Sequence, residues 1–102
     1  MPKAATILLI QPASQTLNQL DLERIDASRG NIVSLARQNL PCLLLGSLNQ
    51  PNDVSFFIHI LRTLSSDIKA NSVRFILVLA SKNPSVTAML KQLGCTEILE
   101  EP

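Results

Sequence analysis

The sequence predicts an α/β protein with a doubly wound, mainly parallel five-stranded sheet. Three continuous apolar runs, at residues 5–10, 42–45 and 73–79, have the composition of strands that are buried on both faces. Between and after these runs the apolar residues recur at three- and four-residue steps, as in amphipathic helices. Alternation of strands and helices typically builds right-handed βαβ units.

Turn residues bound the predicted strands. The first run ends at Gln11 and Pro12, and the second begins after Pro41 and ends at Gly46. A short final strand is predicted over residues 96–100. Three buried runs and a short terminal strand favour parallel pairing over a set of hairpins.

Three helices are predicted from apolar periodicity. The longest has Asn52 or Asp53 available as its N-cap, and the last ends at Gly94. The three ranges are 31–39, 53–70 and 85–93.

Residues 14–28 are ambiguous between helix and strand. We favour a strand over residues 20–26, which leaves about eight residues after the first strand, fewer than the roughly twelve that a parallel crossover needs. Either the first helix is vestigial, or the first two strands form an antiparallel hairpin.

Composition limits the possible partners and locations. A chain of 102 residues is long enough for one hydrophobic core, and with three aromatic residues that core should be aliphatic. Nine basic and eight acidic side chains give a net charge of +1 without any run of like charge, so nucleic-acid binding is disfavoured. No apolar stretch approaches a membrane span, and we expect a cytoplasmic protein.

The chemically reactive side chains form no catalytic pattern. Cys42 and Cys95 lie in apolar surroundings and are interpreted as buried, reduced thiols, while His59 is interpreted as a histidine on a helix face. No nucleophile and base pair, metal-ligand spacing or glycine-rich phosphate loop is present in the sequence. We therefore expect no enzymatic activity, no cofactor and no metal site.

Four segments in order carry a resemblance to a known family. Residues 41–47 form an apolar strand leading to Ser47, and Pro51 follows four positions later. Residues 76–81 end in Ala-Ser, and residues 94–102 run from Gly-Cys to Glu-Pro. With the turn and helix at 28–39, this pattern resembles the receiver domains of response regulators, whose fold is flavodoxin-like.

Every position that carries the chemistry of that family is replaced. By the resemblance, Gln11 and Pro12 stand for the acidic pair that holds Mg²⁺, and Ser47 stands for the phosphorylated aspartate. Ala80 stands for the conserved hydroxyl and Glu101 for the lysine. Because Mg²⁺ requires anionic oxygen ligands, the resemblance implies a pseudo-receiver that cannot be phosphorylated in the usual way.

The Ser47 hydroxyl has no activating base or cationic group in this pattern. We interpret it as a loop hydroxyl that bonds nearby backbone, with phosphorylation by an outside kinase as a minor alternative.

The resemblance also predicts which sheet face is exposed. The family's first helix is shortened or absent here and its last helix would begin after Pro102, and both belong to the same face. A contiguous aliphatic face requires a cover. We favour a second copy about a twofold axis over an attached domain beyond Pro102, and we expect the chain to be the N-terminal domain of a longer protein.

These expectations lead to two functional hypotheses. The first is an interaction and dimerisation module in signal transduction that regulates or positions an attached output domain, with the helix at 53–70 as a further docking surface. The alternative is a small-molecule sensor, with a ligand bound at the carboxyl ends of the strands near Gln11, Ser47 and residues 80–82.

Overall fold

Five parallel strands form one sheet in the computed structural model of the chain, which describes residues 5–100. The strands are β1 (Thr6–Gln11), β2 (Ile25–Ser28), β3 (Cys42–Leu48), β4 (Val73–Leu79) and β5 (Glu97–Glu100). Their order across the sheet is β2-β1-β3-β4-β5, and each neighbouring pair is parallel. The predicted α/β class is confirmed, and the order is that of a flavodoxin-like, doubly wound sheet.

Five helical segments connect these strands. They are α1 (Gln15–Asn18), α2 (Ile32–Gln38), α3 (Pro51–Thr63), α4 (Ser65–Lys69) and α5 (Pro84–Gln92). The helices predicted at 31–39 and 85–93 are confirmed to within about a residue at each end. Gly94, with a φ of 112°, follows α5 in the left-handed region that commonly ends a helix.

The predicted single helix at 53–70 is wrong in two respects. It begins at Pro51 with Gln50 as N-cap, because proline is well suited to the first helical position, and Asp53 lies in the first turn. It is also interrupted at Leu64, which leaves helical geometry at φ −98° and ψ 15°. The Leu64 side chain is nevertheless fully buried with Phe57 and Leu61, so the apolar face continues across the interruption.

The second strand also differs from the prediction. It covers Ile25–Ser28 instead of residues 20–26, and Leu20 and Leu22 are exposed in the preceding loop. This loop is held by the Arg24 guanidinium, which donates to the carbonyl oxygens of Leu20 and Asn18. The later start leaves residues 12–24 for the crossover, enough for parallel pairing. The first helix is therefore vestigial, and the antiparallel hairpin is excluded.

One face of the sheet is fully covered. Helices α2, α3 and α5 place Ile32, Leu61 and Leu90 in a single apolar cluster with the inward-facing side chains of the strands. The strand residues in this cluster include Leu8, Leu44, Phe75 and Leu77. This layer is the main hydrophobic core of the protein.

The opposite face has a much smaller cluster. Leu9, Leu45 and Val78 are buried there beneath Leu17, the one buried residue of the four-residue α1. Among the described residues, the helical cover on this face is confined to the carboxyl ends of the central strands.

Toward the amino ends of the strands no helix within residues 5–100 covers the same face. In one row across the sheet, Ile7 of β1 lies beside Leu43 of β3, which lies beside Arg74 of β4. Two residues further along β4, Ile76 lies beside Glu97 of β5. We call these five side chains the open strip. Its three apolar members are half-buried and its two charged members are exposed, so it has an aliphatic centre and a charged β4–β5 side.

Gly46 does not end β3, as predicted, but lies inside it. A residue without a side chain is required there because Phe57 and Leu77 pack directly against the Gly46 backbone. An added Cβ would lie 2.6 Å from Cζ of Phe57 and 3.1 Å from Cδ2 of Leu77. The Phe57 ring is buried and packs edge-on against Phe75, so it has little room to move.

We expect Gly46→Ala to lower the free energy of unfolding by about 1–3 kcal/mol through overpacking, measured by urea denaturation. Gly30→Ala is the matched control, since its added Cβ has no neighbour closer than 3.9 Å. Combining Gly46→Ala with Phe57→Leu should recover part of the loss. Equal stability of the two alanine variants would contradict this packing argument.

Candidate functional site

The carboxyl ends of β1, β3 and β4 meet at one edge of the sheet, where the sequence places Gln11, Ser47 and Ala80. In doubly wound sheets the crevice at this edge, between the strands where the order reverses, is the usual ligand site. Here the reversal falls between β1 and β3. The contacts of Gln11 and Ser47 therefore show whether that crevice is open.

Ser47 lies inside β3 and is 3% exposed, so the prediction of a loop residue is wrong. Its Oγ accepts a hydrogen bond of 2.8 Å from the backbone N–H of Ser14, which is 33 residues away. Ser14 is in turn the N-cap of α1, and its Oγ accepts the N–H of Leu17 at 3.3 Å. The predicted hydrogen bond between the hydroxyl and backbone is therefore present, and it holds the connection between β1 and α1 against β3.

Gln11 is also held by internal hydrogen bonds. Its Nε2 donates to Oδ1 of Asn18 at 2.8 Å and to Oδ1 of Asp26 at 3.4 Å. Its Oε1 accepts the N–H of Ala13 at 3.0 Å. Both ends of the amide are engaged, and the adjacent Pro12 is exposed and has no polar side-chain atom.

These contacts close the crevice between β1 and β3. Leu17 packs against Leu9, Leu45 and Val78 directly below the connection that Ser14 fastens. A ligand at this position would have to displace both the hydrogen bond and the apolar contact. The structure thus brings Gln11 and Ser47 to the same edge but not to a common open cavity.

Ala80 and Ser81 line a different cleft, between the loops that follow β3 and β4. The cleft has a volume of about 310 Å³, and no charged side chain lines it. Its polar residues carry amides and a hydroxyl, above an aliphatic floor formed by Leu48, Leu79, Val54 and Val86. The polar lining residues are Asn49, Gln50, Ser81 and Asn83. Lys82 is exposed and does not line the cleft.

An ion pair between the exposed Arg29 and the buried Asp53 lies near this edge, and the sequence did not predict it. Asp53 is 6% exposed, and its carboxylate accepts a hydrogen bond from the Arg29 guanidinium. It also accepts the N–H groups of Asn49 at 2.8 Å and Gln50 at 3.0 Å. Arg29 further lies over the Phe56 ring, 4.7 Å from its centroid. The pair ties the β2–α2 turn to the start of α3.

The environment of Asp53 keeps it ionised. Burial opposes the charge, but the hydrogen bonds from Arg29 and from the two backbone N–H groups outweigh it and hold the pKa below its ordinary value. Sequence reasoning identified Asp53 only as a possible cap. An acidic residue in the first turn of a helix was the available signal, but its partner 24 residues away was not visible.

Four further residues were singled out in the sequence, and the structure describes three of them. Glu101 lies outside the described residues. Cys42 and Cys95 are buried free thiols, as predicted, and burial raises the pKa of each to about 11. His59 is exposed on α3, which confirms a helix-face position.

Residues 5–100 form neither a cluster of metal ligands nor a helix that could span a membrane. No three histidine, cysteine, aspartate or glutamate side chains there converge on a possible metal position. No helix in that part of the chain combines the length and apolar character needed to cross a membrane.

We expect Ser47→Ala to lower the free energy of unfolding by about 1–3 kcal/mol, because it leaves the buried N–H of Ser14 without an acceptor. The amides of Ser14 and Leu17 should also exchange with solvent faster, which hydrogen-exchange measurements would detect. Ser81→Ala, at an exposed serine after β4, should change neither quantity. Unchanged exchange at both amides would contradict the proposed fastening.

We expect Asp53→Asn to cost about 2 kcal/mol at pH 7, because a charge-assisted hydrogen bond to Arg29 is lost. Since the folded-state pKa is depressed, the stabilisation by Asp53 is present above the unfolded value of about 3.9 and is lost as the pH falls through the folded pKa. Unfolding measured from pH 7 to pH 2 should therefore show a smaller acid loss in the variant. Asp26→Asn is the control, since the Asp26 side chain is 59% exposed and its ion pair with Arg24 should contribute less than about 1 kcal/mol.

Comparison with known proteins does not assign the chain to a family. No protein-family model matches it, and a search of curated proteins finds no match. The likeness to receiver domains therefore rests on the motifs along the chain, together with a strand order that is compatible with that fold.

Proposed function

We propose that this chain is a receiver-like interaction module that works without phosphotransfer and regulates or positions an attached output domain in signal transduction. The observation that carries the proposal is the contrast between two regions of the sheet. The crevice at the carboxyl ends of β1 and β3 is closed by internal contacts, whereas the open strip at the amino ends is uncovered.

The closed crevice supports the absence of phosphotransfer. Phosphoryl transfer depends on metal and charged groups placed around the reacting oxygens. Gln11 and Pro12 supply no anionic oxygen, and the Ser47 hydroxyl is already bonded to Ser14. Asp53 is the buried acid nearest in sequence to Ser47, and Arg29 and two backbone N–H groups already occupy its oxygens.

The open strip supports a macromolecular partner. Parallel sheets are normally buried on both faces, and here Ile7, Leu43 and Ile76 retain contact with solvent. Hollows of about 400 and 430 Å³ lie at the two sides of this strip, the first lined by Ile7 and Arg24 and the second by Leu43 and Ile76. A partner that fills these hollows would complete the second layer of the fold.

The uncharged cleft beside Ala80 and Ser81 supports ligand binding as the second candidate function. Its volume of about 310 Å³ is at the lower end of small-molecule sites. A ligand there would stabilise the folded chain in a thermal-shift screen and would leave the open strip unaffected. The cleft ranks second because it lies away from the reversal of strand order.

We also propose a cytoplasmic location. Cys42 and Cys95 are free thiols, as expected of a protein kept in a reducing compartment.

Photo-crosslinking in the cells that produce the protein tests the proposed function without assuming the partner. With benzoylphenylalanine at Leu43, we expect irradiation to attach a macromolecule, which mass spectrometry identifies as a second copy, another part of the same protein or a different protein. The same probe at Arg62, exposed on α3 and far from the open strip, is the control.

The same preparation tests the absence of phosphotransfer. Incubation of the purified chain with acetyl phosphate and Mg²⁺ should leave its mass unchanged. A stoichiometric phosphoryl adduct, or the absence of any crosslink at position 43, would contradict the proposed function.

A further inference from the structure

We propose that the partner on the open strip is a second copy of this chain, packed face to face about a twofold axis with the two sets of strands antiparallel. In this arrangement Arg74 of each copy pairs with the partner's Glu97. The proposal rests on the proposed function, since it names the occupant of the open strip.

The charges of the open strip are self-complementary. Arg74 lies on β4 beside Leu43, and Glu97 lies on β5 beside Ile76, so both point to the uncovered face. Both are exposed, and neither belongs to an ion pair within residues 5–100. One positive and one negative group on neighbouring strands allow a twofold axis to form the same pair twice.

The position of α1 selects the antiparallel arrangement. Leu17 covers only the carboxyl half of the face, above Leu9 and Leu45. With antiparallel strands the two α1 segments lie at opposite ends, and the two uncovered halves meet. Sheets that pack face to face are about 10 Å apart, a gap that facing arginine and glutamate side chains can bridge.

The size of the strip predicts a weak dimer. The four strands that carry the strip, spaced by about 4.8 Å, give a width of roughly 15 Å, and the uncovered length of a few residues is about 10 Å. An interface of this kind falls below about 1,200 Å² in total, the range of transient complexes. We therefore expect a dissociation constant on the order of 100 µM, tight enough to act when an attached domain raises the local concentration.

Charge exchange tests the pairing directly. Analytical ultracentrifugation of the 102-residue chain from about 10 µM to 1 mM should show a reversible monomer–dimer equilibrium. Arg74→Glu alone and Glu97→Arg alone should each weaken dimerisation at least about tenfold, because like charges then face each other. An equimolar mixture of the two variants should form a heterodimer of nearly wild-type affinity, since the charges are again opposite.

Two variants control for the charge change itself. Arg62→Glu lies on α3 at the other side of the sheet, and Glu100→Arg lies on β5 with its side chain on the opposite face from Glu97. Both should dimerise like the wild type, and circular dichroism should show all variants folded.

The outcomes separate this inference from the proposed function. A wild-type chain that stays monomeric to 1 mM, single variants that dimerise normally, or a mixture that stays monomeric would each overturn the second-copy proposal. If the crosslink at Leu43 then identifies another protein or domain, the interaction module stands with a different occupant. If no crosslink forms, both proposals fail.

Discussion

A parallel sheet carries apolar side chains on both faces, and in this chain the helices cover almost only one of them. Three helices form a continuous core with one face, and on the other a single turn of helix places Leu17 over the carboxyl half. The closed crevice and the open strip both follow from this unequal covering. Beneath α1, at the carboxyl ends of the strands, the face is packed and closed to ligands. Toward the amino ends, the aliphatic strand residues of the open strip contact solvent.

The sequence predicts the central strands and the main helices well because their signals are local. Strand β4 was predicted with its full length of Val73–Leu79, since a continuous apolar run has few alternatives. The edge strand β2 was misplaced because it buries only Ala27, so burial imposes almost no pattern on its sequence. The exposed Leu20 and Leu22 nearby supplied a misleading apolar signal.

The candidate site was less predictable because its contacts are long-range. The resemblance drew attention to Ser47, but the sequence did not predict that it would bond a backbone group 33 residues away. In the same way, Arg29 and Asp53 carry no common local pattern, although together they join the β2–α2 turn to the start of α3. The absence of acidic side chains at positions 11, 12 and 47 can be read from the sequence, whereas the contacts that close the crevice require the assembled sheet.

The neutral side chain of Ser47 suits its buried position. An ionised carboxylate at this buried position would require metal or cationic partners, whereas a neutral hydroxyl accepts one backbone N–H and lets the β1–α1 connection settle against the sheet. The space around Ser47 is therefore part of the packed interior. An aspartate introduced at position 47 would meet an already occupied space.

The two thiols offer a way to observe motion within this sheet. Cys42 begins the central strand β3, and Cys95 lies two residues before the edge strand β5. Both are buried, and their raised pKa values keep them protonated at neutral pH, so an alkylating reagent reacts with either one only when its surroundings open. Alkylation of Cys42 would therefore report local opening at the centre of the sheet, and alkylation of Cys95 would report opening at its β5 edge.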